Sequence, residues 1–377
     1  MDFGLSEEQE LLQQSARDFL ARECPPAMVR AVMASDDGYP RALYEKMAAL
    51  GWAGLVIPPQ FGGLGLGMLD LAVLAEEMGR AVLPGPFFSS SVLAALCLMY
   101  SNAAAHKKEW LPRIATGEAV GTLAFLEDSD RLDPAGVTAR CVTTRGGYRL
   151  NGTKLFVTDA QVADFVIVAA RTRGSGAAGV SLFVVPRQHA GVSVLPLQSI
   201  DQTRRSSEVV FRNVEVPKSA RLADESKGWK VLQRVMDAAC VILAADSLGG
   251  AQRALEMSVE YAKVREQFGR PIGSFQALKH MAAEMVSEIE PARSLVWYAA
   301  YAYDREARNA GRAAAMSKAR LSDVYSRVTN RAVQMHGGIG FTWEHDMHFW
   351  FKRAKWNEAA FGDATFHRER LAQLAGF

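Results

Sequence analysis

The feature that most restricts this chain is a hydrophobic period that changes twice. Up to about residue 118 apolar residues recur at helical spacing, from about 120 to 220 short β-rich runs replace them, and after Lys227 the helical period returns. Ser6 with Gln9 forms a capping-box signature ahead of Leu12, Ala16, Phe19 and Leu20, which predicts a first helix. Further helices are expected through Tyr44 to Leu50, across 69–81 and across 91–100. The run IPPQFGGLGLG (57–67) ends on Met68 where a dinucleotide loop would need its final glycine, and prolines rather than a buried strand precede it. It reads as a turn leading into a helix.

In the middle stretch, 165–171, 180–186, 192–197 and 207–217 read as strands. Asn151-Gly152, between Tyr148–Leu150 and Lys154–Thr158, is a type I′ hairpin signal. Later helices are expected from Trp229 to Lys263, from Phe275 to Asp304 with a kink at Pro291, from Gly311 to Met335 and from Asp346 to Lys355. His336-Gly337-Gly338 reads as a helix stop, and a last helix follows Asp363. The expected fold class is α+β: an N-terminal helical domain (1–118), a middle β-barrel domain (119–223) and a C-terminal four-helix bundle domain (224–377).

Composition removes several functions. A net charge of +2 over 377 residues leaves no broad electrostatic footprint for nucleic acid or an anionic membrane. No run approaches the roughly 18 apolar residues of a membrane span, and the start carries no apolar leader, so the expected location is the cytoplasm. Cys24, Cys97, Cys141 and Cys240 lie too far apart for zinc spacing or a disulfide framework and are expected to be buried. His345 and His348 stand at i,i+3 without a third metal ligand, and no metal is expected.

The order of segments, with PPQFGGLGLG, LNGTKLFVTDA, YAKVREQFGRPIGSFQALKH and QMHGGIGFTWEHDMHFWFKRA, resembles the acyl-CoA dehydrogenase family. The resemblance implies FAD as cofactor and α,β-desaturation of an acyl-CoA thioester, a carboxylate taking the α-proton while the β-hydride goes to the flavin. It implies electron-transfer flavoprotein as acceptor, and either a homo-oligomer, dimer or tetramer, or a heteromer with a paralogous chain. Residue by residue it implies Thr158 beside the flavin ring, and Arg265 and Phe268 on an arm toward a neighbouring subunit's FAD. Gln276, Gln334, Gly337, Gly338 and Gly340 match the adenosine side, and Glu127 and Asp237 match positions near the substrate. Each has an ordinary structural counterpart: a strand threonine, a solvated arginine, a helix C-cap.

The departures from the family pattern matter as much. LAFLEDSDRLD keeps Glu127 but lacks the usual Gly-Ser turn, and MDAACVIL keeps Asp237 but places Ala239 and Cys240 where relatives carry an alternative catalytic Glu and a CoA-pairing Arg. Counting from GFTWEHDMHFWFKRAK puts the commoner catalytic Glu at Phe361. Phe361 then offers its backbone N–H to the thioester oxygen. Asp363 is the nearest remaining carboxylate: in an extended segment it would face the same way as Phe361 and serve as base, and it equally suits the N-cap of the last helix. Ala238, Ala239, Ala359 and Ala360 leave room for a bulky acyl group. The alternatives are a non-catalytic FAD-contacting subunit of a heteromeric acyl-CoA dehydrogenase, or a flavin monooxygenase on the same fold.

Overall fold

The computed structural model describes residues 4–224 and 226–377. Helices come first: α1 (Glu7–Glu23), α2 (Pro26–Ala34), α3 (Arg41–Ala49), α4 (Met68–Arg80), α5 (Ala95–Tyr100) and α6 (Ala104–Ala115). Strands follow: β1 (Gly121–Ala124), β2 (Arg140–Thr143), β3 (Gly147–Thr158), β4 (Phe165–Arg171), β5 (Val180–Pro186), β6 (Val192–Leu197) and β7 (Ser206–Pro217). Then come α7 (Gly228–Val264), the short pair β8 (Glu266–Gln267) and β9 (Arg270–Pro271), α8 (Gln276–Arg305), α9 (Ala310–His336), α10 (Met347–Ala359) and α11 (Ala364–Leu374). In space the chain forms two compact units, one of Met1–Ala31, Met68–Leu83 and Cys240–Phe377, the other of Val32–Gly67 and Pro84–Ala239. Among the described residues no helix is long and apolar enough to cross a membrane. All four cysteines are buried free thiols, and burial pushes Cys24 and Cys141 up to about 12.

The second unit is built on one seven-stranded sheet, ordered β1-β4-β2-β3-β7-β6 with β5 also paired to β4. The ladder therefore keeps edges, and the expected β-barrel is a sheet that does not close on itself. β4 is buried on both faces, as its unbroken apolar run requires. Val166 and Val168 enter the core with Phe183, Val209 and Phe211, while Phe165 on the opposite face packs against Trp110 of α6 at 4.3 Å between ring centroids.

The Asn151-Gly152 expectation fails. β3 runs through both residues, and the register against β7 shifts between Leu150 and Gly152, which makes the pair a bulge. Gly152 sits at φ 151° with Ala139 where a side chain would go, and Asn151 Oδ1 accepts the Asn213 N–H at 2.8 Å. The hairpin lies one turn earlier, between β2 and β3, where Gly147 O accepts the Thr144 N–H at 2.9 Å.

The segment expected as one helix across 91–100 also differs. Residues Phe87–Ala94 form a π-helix before α5 begins. Three consecutive buried serines explain it, since each hydroxyl needs a partner away from the helix. Ser89 Oγ donates to Asp159 at 2.6 Å, Ser90 Oγ accepts the Gly121 N–H at 3.1 Å, and Ser91 Oγ lies 3.3 Å from the Tyr44 hydroxyl.

In the first unit α1 starts on the expected capping box, Ser6 with Gln9. The later helices gather around α9, which packs against α8, α10 and α11. α8 continues through Pro291 without a break. The tightest point is the crossing of α4 with α7. A Cβ built at Gly79 would lie 1.9 Å from Asp246 O, and one at Gly249 would lie 1.7 Å from Glu76 O. Each buried carboxylate at this crossing takes an arginine from a different helix: Glu77 from Arg17 of α1 (2.7 Å), Glu76 from Arg293 of α8, and Asp246 from Arg353 of α10 (3.1 Å). Asn357 adds a 2.7 Å hydrogen bond to Asp246.

Gly249→Ala tests the crossing. Helix propensity alone would favour alanine by about 1 kcal/mol, but overpacking costs about 1–3 kcal/mol and the obstacle here is a backbone carbonyl. A lower denaturation midpoint is expected; an unchanged or raised one contradicts the contact.

Candidate active site

In the sheet unit the candidate residues gather around the ends of β3. Thr158 is buried at the last position of β3, opposite Ser206 of β7, and its carbonyl accepts the Thr122 hydroxyl at 2.6 Å. Phe156 and Asp159 flank it at φ 53° and 55°. Two left-handed non-glycine residues around one buried threonine are costly unless the surroundings hold them. Asp159 is held by Ser89 and by its own N–H on Arg205 O at 3.0 Å.

Glu127 has partners of its own inside the sheet unit. Its carboxylate accepts the N–H groups of Thr138 and Ala139, both at 3.0 Å, the Thr138 hydroxyl, and the Lys154 ammonium at 2.6 Å. Burial raises its pKa, but Lys154 and the hydrogen bonds outweigh burial and hold it below the usual carboxylate range. Burial pushes Lys154 down to about 8 despite Glu127, so the pair is ionised at neutral pH. Glu127 thus ties β3 to the segment before β2. It borders an open cleft of about 540 Å³ shared with Asp128, Arg140, Asn151 and Thr153. Asp237 lies on α7, buried beside the fully buried Ala238 and Ala239.

In the helical unit the expected adenosine and pyrophosphate residues are on the surface. Arg265 follows α7 and is exposed, as are Gln276 at the start of α8 and Gln334 near the end of α9. Phe268 tips the β8–β9 hairpin at φ 52° and is 91% exposed. Gly337 ends α9 at φ 65°, so backbone conformation explains that glycine. Gly338 has no such φ, and a Cβ there would meet nothing within 4 Å. The fold does not ask for glycine at 338; close approach by a bound group would. Gly340 is different: its missing Cβ would press on Val333 O at 2.8 Å. His348 packs between Trp343 and Phe349, and no metal-ligand cluster exists among the described residues.

The loop between α10 and α11 carries Phe361 and Asp363. Phe361 has φ 59° and Gly362 φ 94°, so the segment is a turn and not extended. That removes the reason for expecting Asp363 to face as Phe361 does. Asp363 is exposed and N-caps α11, with Oδ1 accepting the Phe366 N–H at 2.8 Å. The cap expectation holds: the carboxylate is exposed and accepts the Phe366 N–H.

Beneath this loop lie two residues that sequence reading passed over. Lys318 of α9 is 2% exposed and donates to Gly362 O at 2.7 Å, Glu358 O at 3.1 Å and Ser322 Oγ at 3.1 Å. Burial pushes it down to about 8. His367 of α11 is 1% exposed and donates from Nε2 to Phe361 O at 2.9 Å, with Cys240 Sγ at 3.7 Å from the same nitrogen. Burial, reinforced by the Lys318 charge, pushes His367 down to about 4, so the ring is neutral. The only available signal was a lysine at a position of α9 that the helical period assigns to the core.

Three family descriptions cover the chain in order: acyl-CoA dehydrogenase N-terminal domain at residues 6–118, middle domain at 122–214 and C-terminal domain at 226–375. Acyl-CoA dehydrogenase IpdE2 of Mycobacterium tuberculosis is 35% identical over 349 residues, covering 92% of this chain and 91% of that one. Butyryl-CoA dehydrogenase from Megasphaera elsdenii superposes with a TM-score of 0.91 at 29% identity, with both chains fully covered. A chain of the ChsE4-ChsE5 complex from Mycobacterium tuberculosis superposes with a TM-score of 0.89 at 27% identity, again over both full lengths. With helical, sheet and helical segments in the order these relatives share, the chain belongs to the acyl-CoA dehydrogenase family of FAD-dependent acyl-CoA oxidoreductases.

Proposed function

We propose that this chain holds FAD and an acyl-CoA thioester and takes part in oxidising the α,β bond of the acyl group, its electrons passing to an electron-transfer flavoprotein. The observation that carries the cofactor reading is Gly338, an exposed glycine that neither backbone conformation nor packing demands, next to exposed Gln334. In this reading Gln276, Gln334, Gly337 and Gly338 meet the adenosine side, and the exposed Arg265 guanidinium offers a fork suited to pyrophosphate. FAD, when bound, supplies the acceptor for the β-hydride. In the sheet unit Thr158 would be a contact for the flavin ring, and in the helical unit the main-chain N–H at Phe361 would donate to a thioester oxygen, where charge develops as the α-proton leaves. Phe268, 91% exposed on the two-stranded tip, and Val264, 76% exposed at the end of α7, put two large apolar side chains on one arm, which supports an oligomer that covers them.

A second reading concerns the proton acceptor. The family's two base positions hold Phe361 and Ala239 here, and Asp363 is a cap. A composite assembly needs each function only once, so a related second chain supplying the carboxylate would complete the site.

Two outcomes are expected. Gly338→Val should leave the melting temperature of the FAD-free protein within about 0.5 kcal/mol equivalent of wild type, as for other surface changes, while lowering the flavin-to-chain ratio. Full occupancy would remove 338 from the cofactor site. Asp363→Asn should retain flavin reduction by acyl-CoA in the active assembly, because Asn caps almost as well as Asp, while Asp363→Ala should cost on the order of 1 kcal/mol of stability. A loss of about 10²–10⁴ in rate for the Asn variant would instead make Asp363 the general base.

A further inference from the structure

The loop from Ala359 to Asp363 has its carbonyls gathered on one side. His367 holds Phe361 O and Lys318 holds Gly362 O, while Lys318 also reaches Glu358 O at the end of α10. Among the described residues there are no cis peptide bonds, so a carbonyl turned inward turns the amide N–H of the same peptide outward. The amide of Asp363 therefore faces away from the clamp, while that of Gly362 turns back onto Ala359 O at 3.4 Å. Consecutive left-handed residues at Phe361 and Gly362 give the turn its shape, and a phenylalanine keeps such a φ only where neighbours over-determine it.

Packing does not account for Lys318. Among the described residues its hydrogen-bond partners are one hydroxyl and two main-chain carbonyls, so no carboxylate touches the buried ammonium. Burying a charge in this way is expensive, and a methionine would fill similar space without the cost. A lysine kept there at a cost to folding points to what the carbonyls gain. His367 adds a second anchor that does not titrate in the working range, being neutral above about pH 4.

We propose that Lys318 and His367 are positioning residues that lock the Phe361 and Gly362 carbonyls inward and so fix the turn from which the Phe361 N–H meets the acyl thioester in one orientation. This rests on the reading of the loop as the thioester's contact. It gives the loop a function independent of its side chains, which in this chain are Phe361 and a capping Asp363. The charged and titratable groups facing Lys318 are Cys240 from α7, Glu358 from α10, Asp363 from the loop and His367 from α11. As Lys318 titrates near 8, the clamp holds with three N–H donors below that pH and weakens as pH rises through it.

The test combines amide exchange with flavin reduction in the FAD-loaded active assembly, for wild type, Lys318→Met and His367→Phe. The exchange readout uses the hydrogen-bonded amides that flank the loop: Ala360 on Trp356 O, Phe366 on Asp363 Oδ1 and His367 on Asp363 O. Both variants should speed exchange at these amides at least tenfold at pH 7, with amides of α1 unchanged. They should lower kcat by roughly tenfold to a hundredfold with KM little altered, as small misplacements of catalytic groups do. Wild-type kcat should fall above pH 8, and Lys318→Met should lose that limb. Unchanged exchange overturns the proposal, and so does faster exchange with kcat and pH profile intact. A lower melting temperature with wild-type kcat per flavin likewise overturns it, as a merely structural role. Should Lys318→Met not fold, His367→Phe and the wild-type profile decide, and a wild-type profile flat across pH 8 overturns the titrating part. A wild-type flavin that no acyl-CoA reduces instead defeats the functional reading, and this proposal with it, a failure visible before any variant is made.

Discussion

The helical unit depends on one constraint, the backbone approach of α4 to α7 at Gly79 and Gly249. Around that crossing stand Glu76, Glu77 and Asp246, each buried and each tied to an arginine of another helix. Buried ion pairs add little net stability, but losing one partner costs about 3–5 kcal/mol, because a charge is left without compensation. Such a network selects one arrangement more than it strengthens it. Once α1, α8 and α10 are keyed to the crossing, the end of α10 is fixed, and with it the loop that begins at Ala360.

From that fixed end the loop is held through its main chain. α10 delivers the turn, α9 supplies Lys318 from below and α11 supplies His367, while Asp363 caps the helix that brings His367 into place. The three elements that meet around α9 thus converge on peptide groups and not on a carboxylate. In the sheet unit the same principle appears at the end of β3, where Ser89 of the π-helix holds Asp159 and Thr122 holds the Thr158 carbonyl. Both places spend backbone strain and buried polar groups on orientation, the pattern expected where function rather than stability sets the sequence.

Much of the architecture was legible because hydrophobic period reports burial directly. β4, β5 and β6 begin and end where their apolar runs do, and α7 to α9 match their expected spans within about two residues. Asn151-Gly152 misled because an Asn-Gly pair serves a hairpin turn and a bulge through the same freedom at glycine; only the partner strand, with Asn213 bonded to Asn151, separates the two. The turn at Phe361 was not legible: an extended loop was expected, and Phe361 adopts a left-handed φ, which nothing in FGDAT announces for a phenylalanine. Glu127 and Lys154, 27 positions apart, become a pair only through the fold. Lys318 was invisible for a related reason: its partners are carbonyl oxygens, which every residue carries and no sequence pattern marks.

As proposed, this chain is an acyl-CoA oxidoreductase whose thioester contact is a clamped main-chain loop. Anaerobic titration of the purified, FAD-bound assembly with short, branched and ring-bearing acyl-CoAs, followed by flavin absorbance, tests it most directly. Stoichiometric bleaching of the oxidised flavin by at least one acyl-CoA is expected. Fully loaded flavin that no acyl-CoA bleaches or shifts, in an assembly containing every chain that co-purifies, would contradict it.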